Sequence, residues 1–206
     1  MNCGLQTENM TSEARERLMR AALVLFTERG YAATSVRELC AIAGVSKPVL
    51  YYYFGSKEGL YLQLMHESYA LMELVLARLT RFEGHAAERL IHFCCGIYDT
   101  AVGIKDTVRL MFSIYFGPPQ GAPHYDLERF YDRILEVLDG IILEGVERGE
   151  VRPGNSSDMQ WVILSCLNAS IEEMLCEVKP RIDRTFIQRM VMMLFSGIGA
   201  KSTERS

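Results

Sequence analysis

The stretch SVRELCAIAGVSKPVLYYYFGSK, residues 35–57, decides the fold of this chain. Ser35 and Glu38 have the spacing of a capping box, and the residues after them repeat an apolar face at helical spacing. Gly44 predicts the end of this helix, because glycine readily adopts the left-handed conformation that turns the chain. A second helix is predicted directly afterwards, with Pro48 in its first turn, where a missing N–H breaks no intrahelical bond. The stretch therefore predicts a helix-turn-helix.

The second of these helices has an unusual outer face. Leu50 and Phe54, four residues apart, are predicted to face the core. The outer positions hold one Lys, a Pro, a Val and two Tyr rather than the Glu, Lys and Gln of an ordinary solvated face. Such a helix fits the DNA major groove, where apolar groups contact thymine methyls and Lys reaches guanine acceptors. The alternative is that the tyrosines pack in a hydrophobic cluster, which suits Tyr53 better than its two neighbours.

A longer run carries a family resemblance. Residues 17–64 resemble the DNA-binding domain of TetR-family transcriptional regulators, through the first helix ending near Gly30, the capping box, the AGVS turn at 43–46 and the LYYYFGSK run at 50–57. The resemblance implies an all-α fold and a set of DNA-contacting residues. These are Ser35, Arg37, Lys47, Pro48, Val49, Tyr51, Tyr52 and Lys57.

The charge of the chain is distributed unevenly. The net charge is −4 over 206 residues, with 49% hydrophobic and 23% charged residues, an ordinary globular composition. Residues 1–60 carry seven Lys or Arg against six Glu, so the acidity belongs to the remainder. DNA affinity depends on the face presented to phosphates rather than on total charge. A weakly basic head therefore predicts modest nonspecific DNA binding.

The rest of the chain predicts helices only. The expected organisation is a flexible N-terminus at 1–10, a helix-turn-helix DNA-binding domain at 11–57, a helical ligand-binding and dimerisation domain at 58–200 and a flexible C-terminus at 201–206. Helices of the second domain are predicted at about 57–82, 86–103, 105–116, 124–148, 156–177 and 182–198. A secretory signal and a long apolar span are both missing from the sequence, which predicts a soluble cytoplasmic protein.

The last two helices carry apolar stripes that exceed the needs of one core face. Little sequence remains after them to cover a second face, so a subunit interface is predicted. The resemblance implies that the two helices pair with their copies as a four-helix bundle, and a two-fold dimer suits a palindromic operator. The predicted interface residues are Leu164, Leu167, Ile171, Met190, Leu194 and Gly197.

The middle helices are rich in aromatic residues and methionine. Ordinary core is the first interpretation of each residue, but as a group they resemble the lining of an apolar cavity with a few polar groups. The predicted ligand-binding residues are Phe93, Met111, Phe112, Tyr115, Phe116, Tyr131 and Asn168. The resemblance implies a small-molecule effector that alters the distance between two DNA-reading heads. An apolar or aromatic effector that releases a repressor from DNA is expected.

Other chemistry is not indicated. Six cysteines, at positions 3, 40, 94, 95, 166 and 176, lack CxxC or zinc-ligand spacing and are expected to be free thiols. His85, Glu88 and His92 fit surface pairing better than a metal site. The sequence shows none of the constellations typical of an enzyme and indicates no cofactor. Two alternatives to a ligand sensor remain open: a regulator that responds to thiol oxidation, and a helix-turn-helix adaptor that senses nothing.

Overall fold

A computed structural model describes residues 3–118, 121–176 and 181–197, with the side chains described from residue 13 onward. Over these residues all regular structure is helical, which confirms the predicted all-α class. The helices are α1 Cys3–Ala33, α2 Val36–Ala43, α3 Lys47–Phe54, α4 Lys57–Leu79, α5 Ala86–Gly103, α6 Lys105–Tyr115, α7 Glu128–Glu147, α8 Ser156–Cys176 and α9 Arg184–Ser196. None of the described helices combines the length and the apolar character needed to cross a membrane.

The chain forms two compact units, and α4 runs from one into the other. The first unit contains α1, α2, α3, the part of α4 up to Met72, and α6. The second contains the rest of α4 with α5, α7, α8 and α9. Helix α6, which the sequence assigned to the ligand-binding domain, packs on α1, because Leu110 is buried in the core of the first unit.

The helix-turn-helix forms as its sequence predicts. The Ser35 hydroxyl accepts from the backbone N–H of Glu38 at 3.2 Å, and the Glu38 carboxylate accepts from the Ser35 N–H at 2.9 Å. This reciprocal capping box satisfies two backbone donors that a helix start leaves without intrahelical partners. Gly44 ends α2 with φ 64°, the predicted left-handed conformation. Ser46 holds the N-cap position of α3, but its side chain makes no capping hydrogen bond.

The core of the first unit fixes α2 and α3 against α1 and α4. Leu39 and Leu50 are fully buried, and so are Phe26 from α1 and Leu60 from α4. Leu50 is the buried residue that α3 adds to this core, and the other residues of α3 are partly or wholly exposed. Burying a leucine side chain stabilises a fold by about 1.5–3 kcal/mol, so this one residue holds α3 in place.

Predicted helix ends in the second unit are close to the observed ones. Gly149, with φ 71°, ends α7 as predicted, and the N–H groups of Glu150 and Val151 both donate to the carbonyl of Gly145. Gly145 also allows a close approach, since a Cβ there would lie 2.7 Å from Val151 and 2.8 Å from Ala86. The Tyr98 hydroxyl donates to the carbonyl of Ile182 at 2.9 Å and joins α5 to the segment before α9.

The largest differences concern the start of α7 and the N-terminus. Helix α7 begins at Glu128, four residues after the expected start at 124, and Leu127 just before it is buried. Helix α1 begins at Cys3, inside the N-terminus predicted to be flexible, and no Pro interrupts it. The predicted flexible C-terminus, 201–206, lies outside the described residues.

Candidate nucleic-acid interface

Helix α3 presents a mixed aromatic and basic face to solvent. Tyr52 is 80% exposed and Tyr51 is 49% exposed, whereas the neighbouring Leu50 is fully buried. Lys47 and Pro48 are also exposed at the start of the helix. Lys47 supplies a cation and the tyrosines supply hydroxyl donors, which are the groups that phosphates and base edges accept. This surface, defined by Lys47, Pro48, Tyr51 and Tyr52, is called the recognition face below.

Two neighbouring residues of α3 point toward the core instead. Val49 and Tyr53 are half-buried and pack against the core of the first unit. The Tyr53 ring also meets the Tyr52 ring edge-on, with centroids 5.0 Å apart. The hydrophobic-cluster alternative therefore describes Tyr53. Val49 packs against the core in part as well, so only the exposed part of its side chain is available for the predicted DNA contact.

The start of α2 supplies two more predicted contacts. Arg37 is exposed in the first turn. The Ser35 hydroxyl is exposed as well, but it donates to the Glu38 carboxylate at 2.7 Å. Hydrogen bonding to Ser35 lowers the pKa of Glu38, and the Arg29 guanidinium, 2.9 Å from that carboxylate, acts in the same direction. Arg37 is therefore more available for a DNA contact than Ser35, whose hydroxyl caps the start of α2.

Lys57, the last predicted DNA contact, is occupied within the protein. Its ammonium donates to the carbonyls of Tyr31 and Thr34, both at 2.9 Å. Burial lowers the pKa of this lysine. The sequence resemblance could not show these internal partners, since Tyr31 lies 26 positions away along the chain.

The predicted ligand-binding residues divide between the two units. Met111 packs against the core of the first unit, where Phe112 is half-buried, and Tyr115 and Phe116 are exposed. In the second unit Phe93 is fully buried, while Tyr131 and Asn168 are half-buried. A single cavity lined by all of them stays a prediction.

Sequence reasoning missed an apolar cleft in the second unit. It encloses about 320 Å³. Its apolar walls come from α5, α7, α8 and α9 and from the turn after α7, and Glu150, Arg152 and Asp158 add charge. The apolar lining consists of Leu90, Ile142, Val151, Met159, Val162, Ile163, Leu194 and Phe195. These residues are spread over about a hundred positions of the sequence, so no local sequence pattern indicates that they line one cleft.

Most of the predicted interface residues are buried within a single chain, and their part in an interface stays a prediction. Leu164, Leu167, Ile171 and Met190 are each at most 6% exposed within a single chain, because they form the core of the second unit. Leu194 and Gly197 are only partly exposed. The apolar surface that α8 and α9 leave open is instead formed by Trp161, Val162, Met192 and Met193, each between 45% and 54% exposed.

Four of the described cysteines, Cys40, Cys94, Cys95 and Cys166, give no support to a thiol switch, whereas Cys176 is an exposed free thiol. Burial raises the pKa of Cys94 to about 12 and raises the pKa values of Cys40, Cys95 and Cys166 as well. Thiolate is the reactive form, so these thiols are poorly reactive near neutral pH. His85 and His92 each have a partner: His85 bonds Glu150 at 2.9 Å, and His92 stacks on Phe82.

A capped helix-turn-helix with an exposed recognition face, followed by further helices over the described residues, is the arrangement of a helix-turn-helix DNA-binding protein. The sequence model described as "Bacterial regulatory proteins, tetR family" matches residues 18–64, the region that builds α2, α3 and their supports. Residues 18–64 are therefore a DNA-binding domain of the TetR family, and the findings support a TetR-family transcriptional regulator.

Similar proteins agree with this assignment. The HTH-type transcriptional repressor DhaR of Mycobacterium sp. (strain GP1) is 24% identical over 185 residues, 89% of this chain and 91% of DhaR. The regulator FadR of Bacillus subtilis, solved with stearoyl-CoA, has a TM-score of 0.66 at 22% identity and covers 89% of this chain and 99% of its own. AibR, solved with isovaleryl coenzyme A and operator DNA, has a TM-score of 0.66 at 19% identity, with coverage of 88% and 98%. At these identities the two solved structures show a shared fold.

Proposed function

We propose that this protein is a repressor that binds a palindromic operator as a homodimer and leaves it when an amphipathic effector binds. The observation that carries the proposal is the recognition face, where Tyr52 is 80% exposed on a helix fixed by the buried Leu50. An exposed aromatic face costs solubility unless it has a partner, and its combination with Lys47 suits the edges and backbone of DNA.

Dimerisation is proposed through the open face of α8 and α9. Trp161, Ser165 and Ala169 follow one another at four-residue spacing and are all exposed, so they lie on one side of α8. Small residues beside Trp161 allow a second helix to approach closely. Two-fold pairing would place two recognition faces so that each reads one half-site of a palindrome.

The effector is proposed to carry an acyl chain. FadR and AibR were solved with acyl thioesters of coenzyme A. The cleft here encloses about 320 Å³ and has mainly apolar walls. That volume is at the lower end of the range for ligand pockets, about 300–1,000 Å³, so the cleft suits a short or medium acyl chain rather than a whole coenzyme A molecule.

The recognition face is tested by substitution. Lys47→Met is expected to change the bases preferred at one position of each half-site, because a lysine contact to a base edge discriminates by about 1–3 kcal/mol. Tyr52→Ala is expected to weaken operator binding roughly tenfold without a change of preference. Both are measured by selection from a randomised duplex library, with Lys105→Met as a control from α6 of the same unit. Unchanged preference and affinity in both variants would refute the assignment of α3.

The effector is tested by release of bound operator. Acyl-CoA of medium chain length is expected to lower operator affinity roughly 5- to 150-fold, the range of typical allosteric coupling, whereas free coenzyme A leaves it unchanged. Met159→Trp fills the cleft and should abolish this response with DNA binding intact. Phe112→Trp is the matched test of the site predicted from sequence. Release of the operator by free coenzyme A would contradict binding of the acyl chain in this cleft. So would a loss of response in Phe112→Trp while Met159→Trp still responds.

A further inference from the structure

Lys57 lies where three helices of the first unit meet. It is the first residue of α4, and its ammonium donates to the carbonyl of Tyr31 in the last turn of α1. The same ammonium donates to the carbonyl of Thr34, directly before the N-cap of α2. One side chain therefore bonds the end of α1, the entry to α2 and the start of α4.

The backbone at this junction favours a cation. Gly30, with φ 78°, interrupts α1, and the chain makes one more short turn before α2 begins. The Tyr31 carbonyl also accepts from the N–H of Thr34 at 3.2 Å, and the Thr34 hydroxyl donates to the carbonyl of Gly30 at 2.9 Å. The ammonium forms charge-assisted hydrogen bonds with the carbonyls of Tyr31 and Thr34 in this turn.

An aromatic contact strengthens the same junction. The Lys57 Nζ atom lies 4.0 Å from the centroid of the Tyr31 ring, within the range of a cation–π interaction. Tyr61, one turn further along α4, meets the Tyr31 ring edge-on at 5.2 Å. The centroid of the Phe26 ring lies 5.5 Å from that of the Tyr31 ring. Helix α4 thus holds Tyr31 with two residues that share one helix face.

These contacts leave Lys57 poorly placed to bind a phosphate. Two of the three N–H donors of an ammonium are taken by carbonyls here, and the Tyr31 ring lies against the group. We infer that Lys57 is a positioning residue, which holds the helix-turn-helix in a fixed orientation to the start of α4 and makes no phosphate contact of its own. The inference deepens the proposed function and rests on it. Because α4 continues from Lys57 to Leu79, a displacement of α4 would reach α2 through this junction.

The test compares Lys57→Met with Lys57→Arg and wild type. Operator affinity is measured over a series of salt concentrations on the palindrome that wild type selects. Lys57→Met is expected to lose on the order of tenfold in affinity while the slope of log affinity against log salt is unchanged. Lys57→Arg keeps a cation and should recover most of the loss. Hydrogen exchange without DNA should accelerate at residues 31–36 and 57–61, with Leu39 and Leu50 still protected.

Each other outcome overturns the inference. A salt slope reduced by about one unit per protomer would show a phosphate contact. Unchanged affinity would show that the junction does not matter for DNA binding. Accelerated exchange throughout α1, α2 and α3 would show a purely structural role. If wild type selects no DNA sequence, the proposed function itself fails, whereas the exchange measurement still reports on the junction.

Discussion

Met192→Arg is expected to convert the protein to monomers and to abolish specific operator binding. Met192 is 49% exposed on α9, one of the exposed apolar residues of α8 and α9 through which dimerisation is proposed. In a two-fold dimer the substitution would bury an unpaired charge twice, at a cost of several kcal/mol, so the dimer should weaken by roughly a hundredfold or more. Sedimentation measures the assembly, and operator titration measures the binding.

Leu143→Arg is the matched control for this interface. Leu143 is 47% exposed on α7, so the substitution is chemically equivalent but lies outside α8 and α9. We expect this variant to remain dimeric and to bind the operator as wild type does. A monomeric wild type would refute the interface, and so would a Met192→Arg protein that stays dimeric. Met190→Arg is unsuitable for this test, because Met190 is only 5% exposed within one chain and its substitution would disrupt the core.

Leu50→Ala is expected to destabilise the head by about 2–5 kcal/mol, the usual cost of removing a buried leucine side chain. Leu50 is 0% exposed and is the residue of α3 that is fully buried, so the recognition helix loses its main attachment. Operator binding should weaken together with stability. Chemical denaturation measures the first effect, and operator titration at a temperature where wild type is folded measures the second.

Ile42→Ala provides the comparison for Leu50→Ala. Ile42 lies on α2 but is 57% exposed, and truncation of an exposed residue usually changes stability by less than about 0.5 kcal/mol. A Leu50→Ala variant as stable as Ile42→Ala would contradict the packing described for α3.

The helix-turn-helix was predictable because its signals are local. The capping box of Ser35 and Glu38 and the left-handed Gly44 each act within a few residues, and the structure confirms both. The ends of α5 and α8 were predictable for the same reason, since helical periodicity and punctuation by Gly and Pro need no tertiary information.

The interface and the cleft were less predictable because burial is a tertiary property. An apolar stripe such as Leu164 and Leu167 has the same sequence pattern whether it faces the core of its own chain or a partner subunit. Only the packing of the folded chain distinguishes a core face from an interface. The cleft walls combine Leu90 with Phe195, residues whose proximity no periodicity reveals. Lys57 is a similar case, because its partners are backbone carbonyls, which carry no sequence signature.

Selection of duplex DNA by the wild-type protein tests the central claim most directly. A randomised duplex library is bound, enriched and sequenced, and the number of protomers on the selected duplex is measured by sedimentation. We expect a two-fold symmetric sequence whose half-sites lie about one helical turn, near 34 Å, or a multiple of it apart, with an even number of protomers bound. Failure to enrich any sequence, or an asymmetric site occupied by one protomer, would contradict the account.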